Sequence, residues 1–205
     1  MIAARDRRAS LVVLAKDTQV AKTRLRLPRD ASRQLALRLA ASTIRAALGA
    51  EEIGAVLVVT GDEDIALDAV RAGAKVVAEP RPMGMNRAAA LGRRRAVAAR
   101  PGAPVAVIVA DLPGLHPSDL DAAVLTFHDE GAPLFVADRE GTGTTLLIHG
   151  PDQLPGYAFG CGSAAAHQRL GYRPARRVPP SLRWDLDTPD DLLAHPLADL
   201  QVVTP

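Results

Sequence analysis

The stretch from Val105 to Leu115, VAVIVADLPGL, constrains the fold more than any other part of the chain. Its β-branched and apolar residues predict a strand buried on both faces, which is typical of a parallel sheet. The strand ends at Asp111, because the Leu-Pro-Gly that follows can neither extend a strand nor begin a helix at once. A carboxylate at the carboxyl end of a central strand lies where open α/β sheets bind ligands. The alternative is that Asp111 only caps the turn after it.

A second acidic stretch near the other end of the chain, WDLDTPDD, favours the ligand-binding interpretation. In an extended segment Asp185 and Asp187 project to the same face. Together with Asp111 they predict a divalent-cation site, and carboxylates without a His or Cys cluster favour a hard cation such as Mg²⁺. The Thr-Pro-Asp-Asp that follows has the signature of a helix start, so Asp190 and Asp191 are interpreted as structural.

The first predicted strand, 10–15, leads into a long polar loop that carries cations at Lys16, Lys22 and Arg24. Nucleotide-binding α/β proteins place phosphate contacts in the loop after the first strand. The loop lacks the glycines of a P-loop, so side-chain charge would hold the phosphates. The alternative is an exposed basic loop without a ligand.

Strand-like and helix-like segments alternate along the whole chain. The strands are predicted at 10–15, 55–60, 75–78, 105–110, 134–137 and 146–149, the helices at 31–48, 63–72, 87–99, 117–130 and 164–170, and a basic edge strand at 173–178. This order predicts an α/β fold with a mostly parallel, doubly wound sheet and helices on both faces. A length of 205 residues fits one domain, which we expect to span 1–205 with a core of about 10–194.

Composition excludes several classes of function. The net charge of +2 and the aromatic content of 3% argue against a nucleic-acid partner, because base-stacking surfaces need aromatic side chains. No segment resembles a signal peptide or a membrane span. The single cysteine, Cys161, excludes an internal disulfide and fits a reducing compartment. These features predict a cytoplasmic protein that binds neither nucleic acid nor a membrane.

Several polar residues next to predicted helices have two interpretations. Asp30 is predicted to cap the helix at 31–48, and Asp62 the helix at 63–72 in preference to a ligand role. Ser163 is a candidate cap of the helix at 164–170, where a helix start also attracts phosphate or carboxylate. Asn86 occupies the predicted N-cap of the helix at 87–99, although its amide could also read a base edge. The Gly-Thr-Gly-Thr at 141–144 suits a backbone that comes close to an anion, but hairpins often have similar sequences.

These motifs, taken in order, resemble the guanylyltransferases of coenzyme F-420 (deazaflavin) biosynthesis. The matching motifs are LAK at 14–16, AKTRL at 21–25, GMN at 84–86, DLP at 111–113, DR at 138–139 with GTGT at 141–144, FG at 159–160 with Ser163, and DLDTP at 185–189. The resemblance implies a single-domain nucleotidyltransferase fold of the glycosyltransferase-A kind. The Ala- and Arg-rich, Lys-poor composition resembles the actinobacterial branch, which uses phosphoenolpyruvate.

The resemblance also implies a role for each matching residue. It implies Asp111, Asp185 and Asp187 as ligands of Mg²⁺, and Thr144, Gly160 and Ser163 as contacts to phosphoenolpyruvate. Lys16, Lys22 and Arg24 would hold the triphosphate of GTP and act in catalysis with Asp111, and Asn86 would lie near the guanosine. One departure is Cys161, because the family usually has proline there.

The implied reaction transfers GMP from GTP to phosphoenolpyruvate, and the product passes to the next enzyme of the pathway. Three alternatives remain open at this point. The acceptor could be 2-phospho-L-lactate, the chain could be a glycosyltransferase-like relative that uses a nucleotide sugar, or it could be a nucleotide-binding regulator without activity. A molybdenum-cofactor guanylyltransferase is disfavoured, because the glycine-rich first loop is missing.

Overall fold

The computed structural model describes residues 7–15, 27–79, 81–153, 156–186 and 191. The strands are β1 (Ala9–Leu14), β2 (Ile53–Thr60), β3 (Lys75–Ala78), β4 (Val105–Val109), β5 (Leu134–Ala137), β6 (Thr144–His149) and β7 (Arg173–Pro174). The helices are α1 (Arg29–Gly49), α2 (Glu63–Ala72), α3 (Met85–Ala99), α4 (Pro117–Glu130) and α5 (Ser163–Arg169), and a 3₁₀ helix spans Pro180–Arg183.

The strands form one seven-stranded sheet in the order β3-β2-β1-β4-β6-β5-β7. Strands β3, β2, β1 and β4 pair in parallel, whereas β6 is antiparallel to both β4 and β5. The predicted α/β fold with a mostly parallel sheet is therefore confirmed. The expectation of parallel neighbours on both sides of β4 is wrong on one side, because an apolar strand is equally buried beside a neighbour of either direction.

The core surrounds the middle of the sheet. Every residue of β1, β4 and β6 is buried, as expected for strands covered on both faces. Helix α1 packs against α2 and α4, while α3 packs against β1 and β2. Among the described residues, no helix is long and apolar enough to cross a membrane.

Helix boundaries agree with the sequence where caps are explicit. Helices α2 and α4 have the predicted bounds, and Asp62 caps α2 by accepting hydrogen bonds from the amides of Asp64 (3.0 Å) and Ile65 (3.2 Å). The predicted N-cap positions of Asp30, Asn86 and Ser163 are wrong, because the N-caps are Pro28, Gly84 and Gly162. Asp30, Asn86 and Ser163 lie instead in the first turns of their helices. The edge strand expected at 173–178 is present but shorter.

Helix α3 lies unusually close to the sheet at Gly92, where the side chains of Val12 and Val59 occupy the space that a side chain at this position would need. An added Cβ would lie 2.9 Å from Cγ2 of Val59 and closer still to Val12. We expect Gly92→Ala to lower the free energy of unfolding by about 2 kcal/mol, because overpacking outweighs the helix propensity gained. Urea denaturation measures this loss, and Ala90→Gly on the exposed face of α3 calibrates the propensity effect. Unchanged stability of Gly92→Ala would contradict the close packing.

Candidate functional site

The two acidic stretches meet beyond the carboxyl end of β4. The backbone amide of Leu186 donates a hydrogen bond to the carbonyl of Asp111 over 3.1 Å. Leu186 is fully buried and packs against Leu39 of α1, which holds this segment in place. The Oδ1 oxygen of Asp111 is itself buried. The structure therefore brings Asp111 and Asp185, the residue before Leu186, to the same edge of the sheet.

The antiparallel strand β6 brings Thr144 to this edge as well. Because β6 runs opposite to β4, its first residue lies where β4 ends. The pairing of Ile108 with Leu146, continued by two residues, places Thr144 opposite Ala110, next to Asp111. Adjacent strands are about 4.8 Å apart, so Thr144 and the acidic edge are within reach of one small ligand.

The loop between β5 and β6 is organised by the carboxylate of Asp138. Its two oxygens accept hydrogen bonds from the amides of Thr142 (2.8 Å) and Gly143 (2.7 Å). The anion bound by these two amides is therefore the carboxylate of Asp138 and not a ligand. A side chain at Gly143 would collide with Asp138, which explains the glycine.

A group of three carboxylates lies beside this loop. Oxygens of Asp138, Glu140 and Asp185 lie within 4.8 Å of one another. Asp185 belongs both to this group and to the set predicted from the sequence. The carboxylate of Asp138 already holds the loop, and exposed Glu140 pairs with Arg139 over 3.2 Å. Asp187, like Lys16, Lys22 and Arg24, lies outside the described residues, so its predicted role stays a prediction.

Arg139 contacts both ends of the second acidic stretch. One guanidinium nitrogen lies 2.9 Å from Oδ1 of Asp191, which is buried. The guanidinium carbon lies 4.8 Å from the centre of the Trp184 ring, in a cation–π arrangement. The contact with Asp191 agrees with the structural role expected of that residue. Arg139 thus connects the β5–β6 loop to the segment that carries Asp185.

A glycine-rich loop, residues 156–162, leads into α5 and is connected to Thr144 through His167 of that helix. Gly160 has a φ of 135°, a backbone conformation that residues other than glycine rarely adopt. The neighbouring Cys161 is exposed. Ser163 begins α5 and is buried. The predicted acceptor contacts therefore come from two places, the start of β6 and this loop with the first residue of α5.

Asn86 holds the glycine-rich loop through a contact that the sequence did not predict. Its amide nitrogen donates to the carbonyl of Phe159 over 3.2 Å, and its amide oxygen accepts from the Phe159 amide over 2.6 Å. Both backbone groups of the residue before Gly160 are thereby satisfied. The predicted position of Asn86 near a guanosine stays a prediction.

His167 is the residue of this region that sequence reasoning missed. Its Nδ1 lies 2.9 Å from the hydroxyl of Thr144, and its Nε2 accepts a hydrogen bond from the amide of Ala158 over 2.9 Å. Burial lowers the pKa of His167 to about 4, opposed in part by a hydrogen bond to the backbone of Ser163. A signal was present in the sequence, because positions 163 and 167 share one face of a helix.

His149 holds the beginning of the same loop. Its Nδ1 donates to the carbonyl of Gly150 over 2.8 Å, so its Nε2 accepts from the hydroxyl of Tyr157 over 3.0 Å. Burial is the main cause that lowers the pKa of His149 to about 4, and burial raises the pKa of Tyr157. The hydroxyl of Tyr172 donates to the carbonyl of Gly156 over 3.2 Å. These contacts are structural and do not reach the acidic edge.

Solved structures of nucleotidyltransferases share this fold. A cytidylyltransferase from Leptospira borgpetersenii has a TM-score of 0.56 at 15% identity, with 90% of this chain and 83% of that protein covered. The CMP:2-keto-3-deoxy-manno-octonic acid synthetase complexed with CTP has a TM-score of 0.57 at 12% identity, with 91% and 96% covered. Glucosyl-3-phosphoglycerate synthase from Mycobacterium tuberculosis has a TM-score of 0.53 at 17% identity, covering 84% and 73%. The nucleotidyltransferase, glycosyltransferase-A-like fold is confirmed.

Curated relatives are much closer in sequence, although no protein-family model matches the chain. Phosphoenolpyruvate guanylyltransferase of Geodermatophilus obscurus is 43% identical over 192 residues, covering 89% of this chain and 86% of the relative. The protein of the same name from Thermomonospora curvata is 43% identical over 187 residues, covering 90% and 82%. That of Streptomyces coelicolor is 40% identical over 186 residues, covering 89% and 87%. The chain belongs to the phosphoenolpyruvate guanylyltransferase family.

Proposed function

We propose that this protein transfers GMP from GTP to phosphoenolpyruvate, giving enolpyruvyl-2-diphospho-5'-guanosine and pyrophosphate, in coenzyme F-420 biosynthesis. The observation that carries the proposal is the meeting of the Asp111 and Asp185 segments beside Thr144. A guanylyltransferase needs a carboxylate edge for a metal-bound nucleotide and, next to it, polar groups for an acceptor. The names of the actinobacterial relatives support the choice of both substrates.

The reaction is an in-line displacement at the α-phosphorus of GTP. An oxygen of the phosphoenolpyruvate phosphate forms the new bond to this phosphorus, while the bond to the bridging oxygen of the β-phosphate breaks and pyrophosphate leaves. No general base is required, because the second pKa of a phosphomonoester is about 6 and the nucleophile is ionised near neutrality. The residues therefore contribute positioning and charge neutralisation.

The described carboxylates fit Mg²⁺. Asp111 and Asp185 offer hard oxygen ligands at one sheet edge, and the buried Oδ1 of Asp111 is shielded from bulk water. We assign the cation to these two residues together with Asp187. When bound, Mg²⁺ supplies positive charge that orients the α-phosphate and offsets the charge that develops on it.

The remaining residues divide between the two substrates. Thr144, Gly160 and Ser163 are assigned to phosphoenolpyruvate; this is supported by the strand pairing that puts Thr144 next to Asp111 and by His167, which bonds to both Thr144 and the glycine-rich loop. Lys16, Lys22 and Arg24 are assigned to the triphosphate and to catalysis, and Asn86 to the neighbourhood of the guanosine. We also propose that the reaction takes place in the cytoplasm, which agrees with the single exposed thiol of Cys161. The product would then pass to the next enzyme of the pathway.

Pyrophosphate release tests the proposal directly. The purified protein is incubated with GTP and Mg²⁺, in parallel with phosphoenolpyruvate and with 2-phospho-L-lactate. We expect release with phosphoenolpyruvate and loss of release when Mg²⁺ is chelated. Release with 2-phospho-L-lactate alone would keep the reaction and change the acceptor. Binding of GTP without release in either reaction would overturn the proposed transfer.

A further inference from the structure

We propose that His167 is a positioning residue that sets the direction of the Thr144 hydroxyl hydrogen bond and holds the glycine-rich loop in place. The inference rests on the proposed function to the extent that Thr144 contacts the acceptor. Its physical basis is independent of that function, because it follows from the two hydrogen-bonding groups that contact one buried imidazole.

The neighbours of His167 define which ring nitrogen carries the proton. The amide of Ala158 can only donate, and it lies 2.9 Å from Nε2, so Nε2 must be the unprotonated acceptor. Burial lowers the pKa of His167 to about 4, so the ring is neutral near pH 7. The neutral ring therefore carries its hydrogen on Nδ1.

This tautomer determines what the Thr144 hydroxyl can do. Nδ1–H lies 2.9 Å from Oγ1 of Thr144 and faces it as a donor, so the hydroxyl oxygen accepts. The hydroxyl hydrogen is then left for another partner, since Nδ1 cannot accept it. Thr144 consequently presents a donor, which suits an oxygen of an anionic ligand such as a phosphate or carboxylate. With the other tautomer, the hydroxyl would donate to the ring instead.

The second contact of His167 holds the glycine-rich loop and so connects this loop to Thr144. His167 satisfies the amide of Ala158, and Asn86 satisfies the amide and the carbonyl of Phe159. Three backbone groups ahead of Gly160 are thus held by side chains of two helices, α3 and α5. A loop held in this way needs little reorganisation when a ligand binds, which favours affinity and rate.

Two substitutions separate these contacts. In His167→Gln the amide oxygen can replace Nε2 as the acceptor for Ala158, but no donor remains at the Nδ1 position. In His167→Asn the amide nitrogen can replace Nδ1 as a donor to Thr144. We expect His167→Gln to raise the KM for phosphoenolpyruvate by about 10- to 100-fold, because the hydroxyl of Thr144 is no longer oriented to donate a hydrogen bond to the charged acceptor. The KM for GTP should be unchanged. We expect a smaller rise of the phosphoenolpyruvate KM in His167→Asn.

His149→Gln is the comparison for loosening of the loop alone, because His149 is equally buried and bonds to Tyr157 of the loop but does not contact Thr144. Equal losses of affinity for phosphoenolpyruvate in all three variants, or an unchanged KM in His167→Gln, would overturn the inference. ¹⁵N NMR of the wild-type protein provides a readout that needs no activity: the inference requires the Nδ1–H tautomer of His167, and an Nε2–H tautomer would overturn it. If the wild-type protein released no pyrophosphate, the proposed function would fail while the NMR result still decided the tautomer.

Discussion

Replacing Asp111 with asparagine is expected to lower pyrophosphate release from GTP and phosphoenolpyruvate by about a thousandfold. Asparagine keeps the size of the side chain and the backbone carbonyl that Leu186 contacts, but it removes the charge that Mg²⁺ needs. The free energy of unfolding should change little, since the contact between the two acidic stretches is retained. Steady-state kinetics at several Mg²⁺ concentrations measure the loss, and thermal unfolding checks the fold.

Asp68→Asn provides the control, because Asp68 is an exposed carboxylate on α2 and the same charge is removed there. Its activity should equal that of the wild-type protein. Asp187→Asn should resemble Asp111→Asn, with the fold retained and turnover lost. Activity of Asp111→Asn within tenfold of wild type would remove Asp111 from the metal site and leave the carboxylates of the second acidic stretch to hold the cation.

Acidification from pH 7 to pH 5 is expected to lower the free energy of unfolding by about 4 kcal/mol through His149 and His167 together. Their pKa is lowered to about 4 in the folded protein, whereas a solvent-exposed histidine has a pKa of about 6.5. The unfolded chain therefore binds protons in this window that the folded chain does not. The stability is fully present above the unfolded pKa and is lost as the pH falls toward 4.

Urea denaturation at pH 7, 6 and 5 measures this dependence, and the range stops above the usual carboxylate pKa values. His149→Gln and His167→Gln should each remove about half of the slope, because each removes one buried histidine. Variants that keep the full pH dependence would contradict the assignment. NMR titration of the two rings checks it independently, since neither ring should protonate between pH 7 and pH 5.

The sequence predicted elements well where the signals were local. Helix α2 begins after Asp62 and ends before Gly73, which is left-handed, and both signals can be read directly from the chain. The direction of β6 could not be read in this way. An apolar strand beside β4 looks the same in sequence whether it runs parallel or antiparallel, so the reversal emerged only from the pairing of β4 with β6.

The candidate site shows the same division. The positions of Asp111 and Asp185 followed from one strand end and one acidic motif. The partners of Asn86 and Thr144 did not, because Phe159 is 73 positions from Asn86 and His167 is 23 positions from Thr144. The role of Asn86 as an N-cap was a reasonable local expectation that a distant contact overrode. Polar side chains that bind backbone groups far along the chain leave no periodic pattern.

The reversed strand has an implication for how acceptor choice could diversify in this family. Thr144, Gly160, Ser163 and His167 all come from one continuous stretch of chain, while β1 to β4 supply the parallel half of the sheet. We expect a chimaera that exchanges only residues 138–170 with a relative to inherit the acceptor preference of that relative. The graft would need Asn86 of the recipient, whose contact with Phe159 crosses the boundary between the two parts.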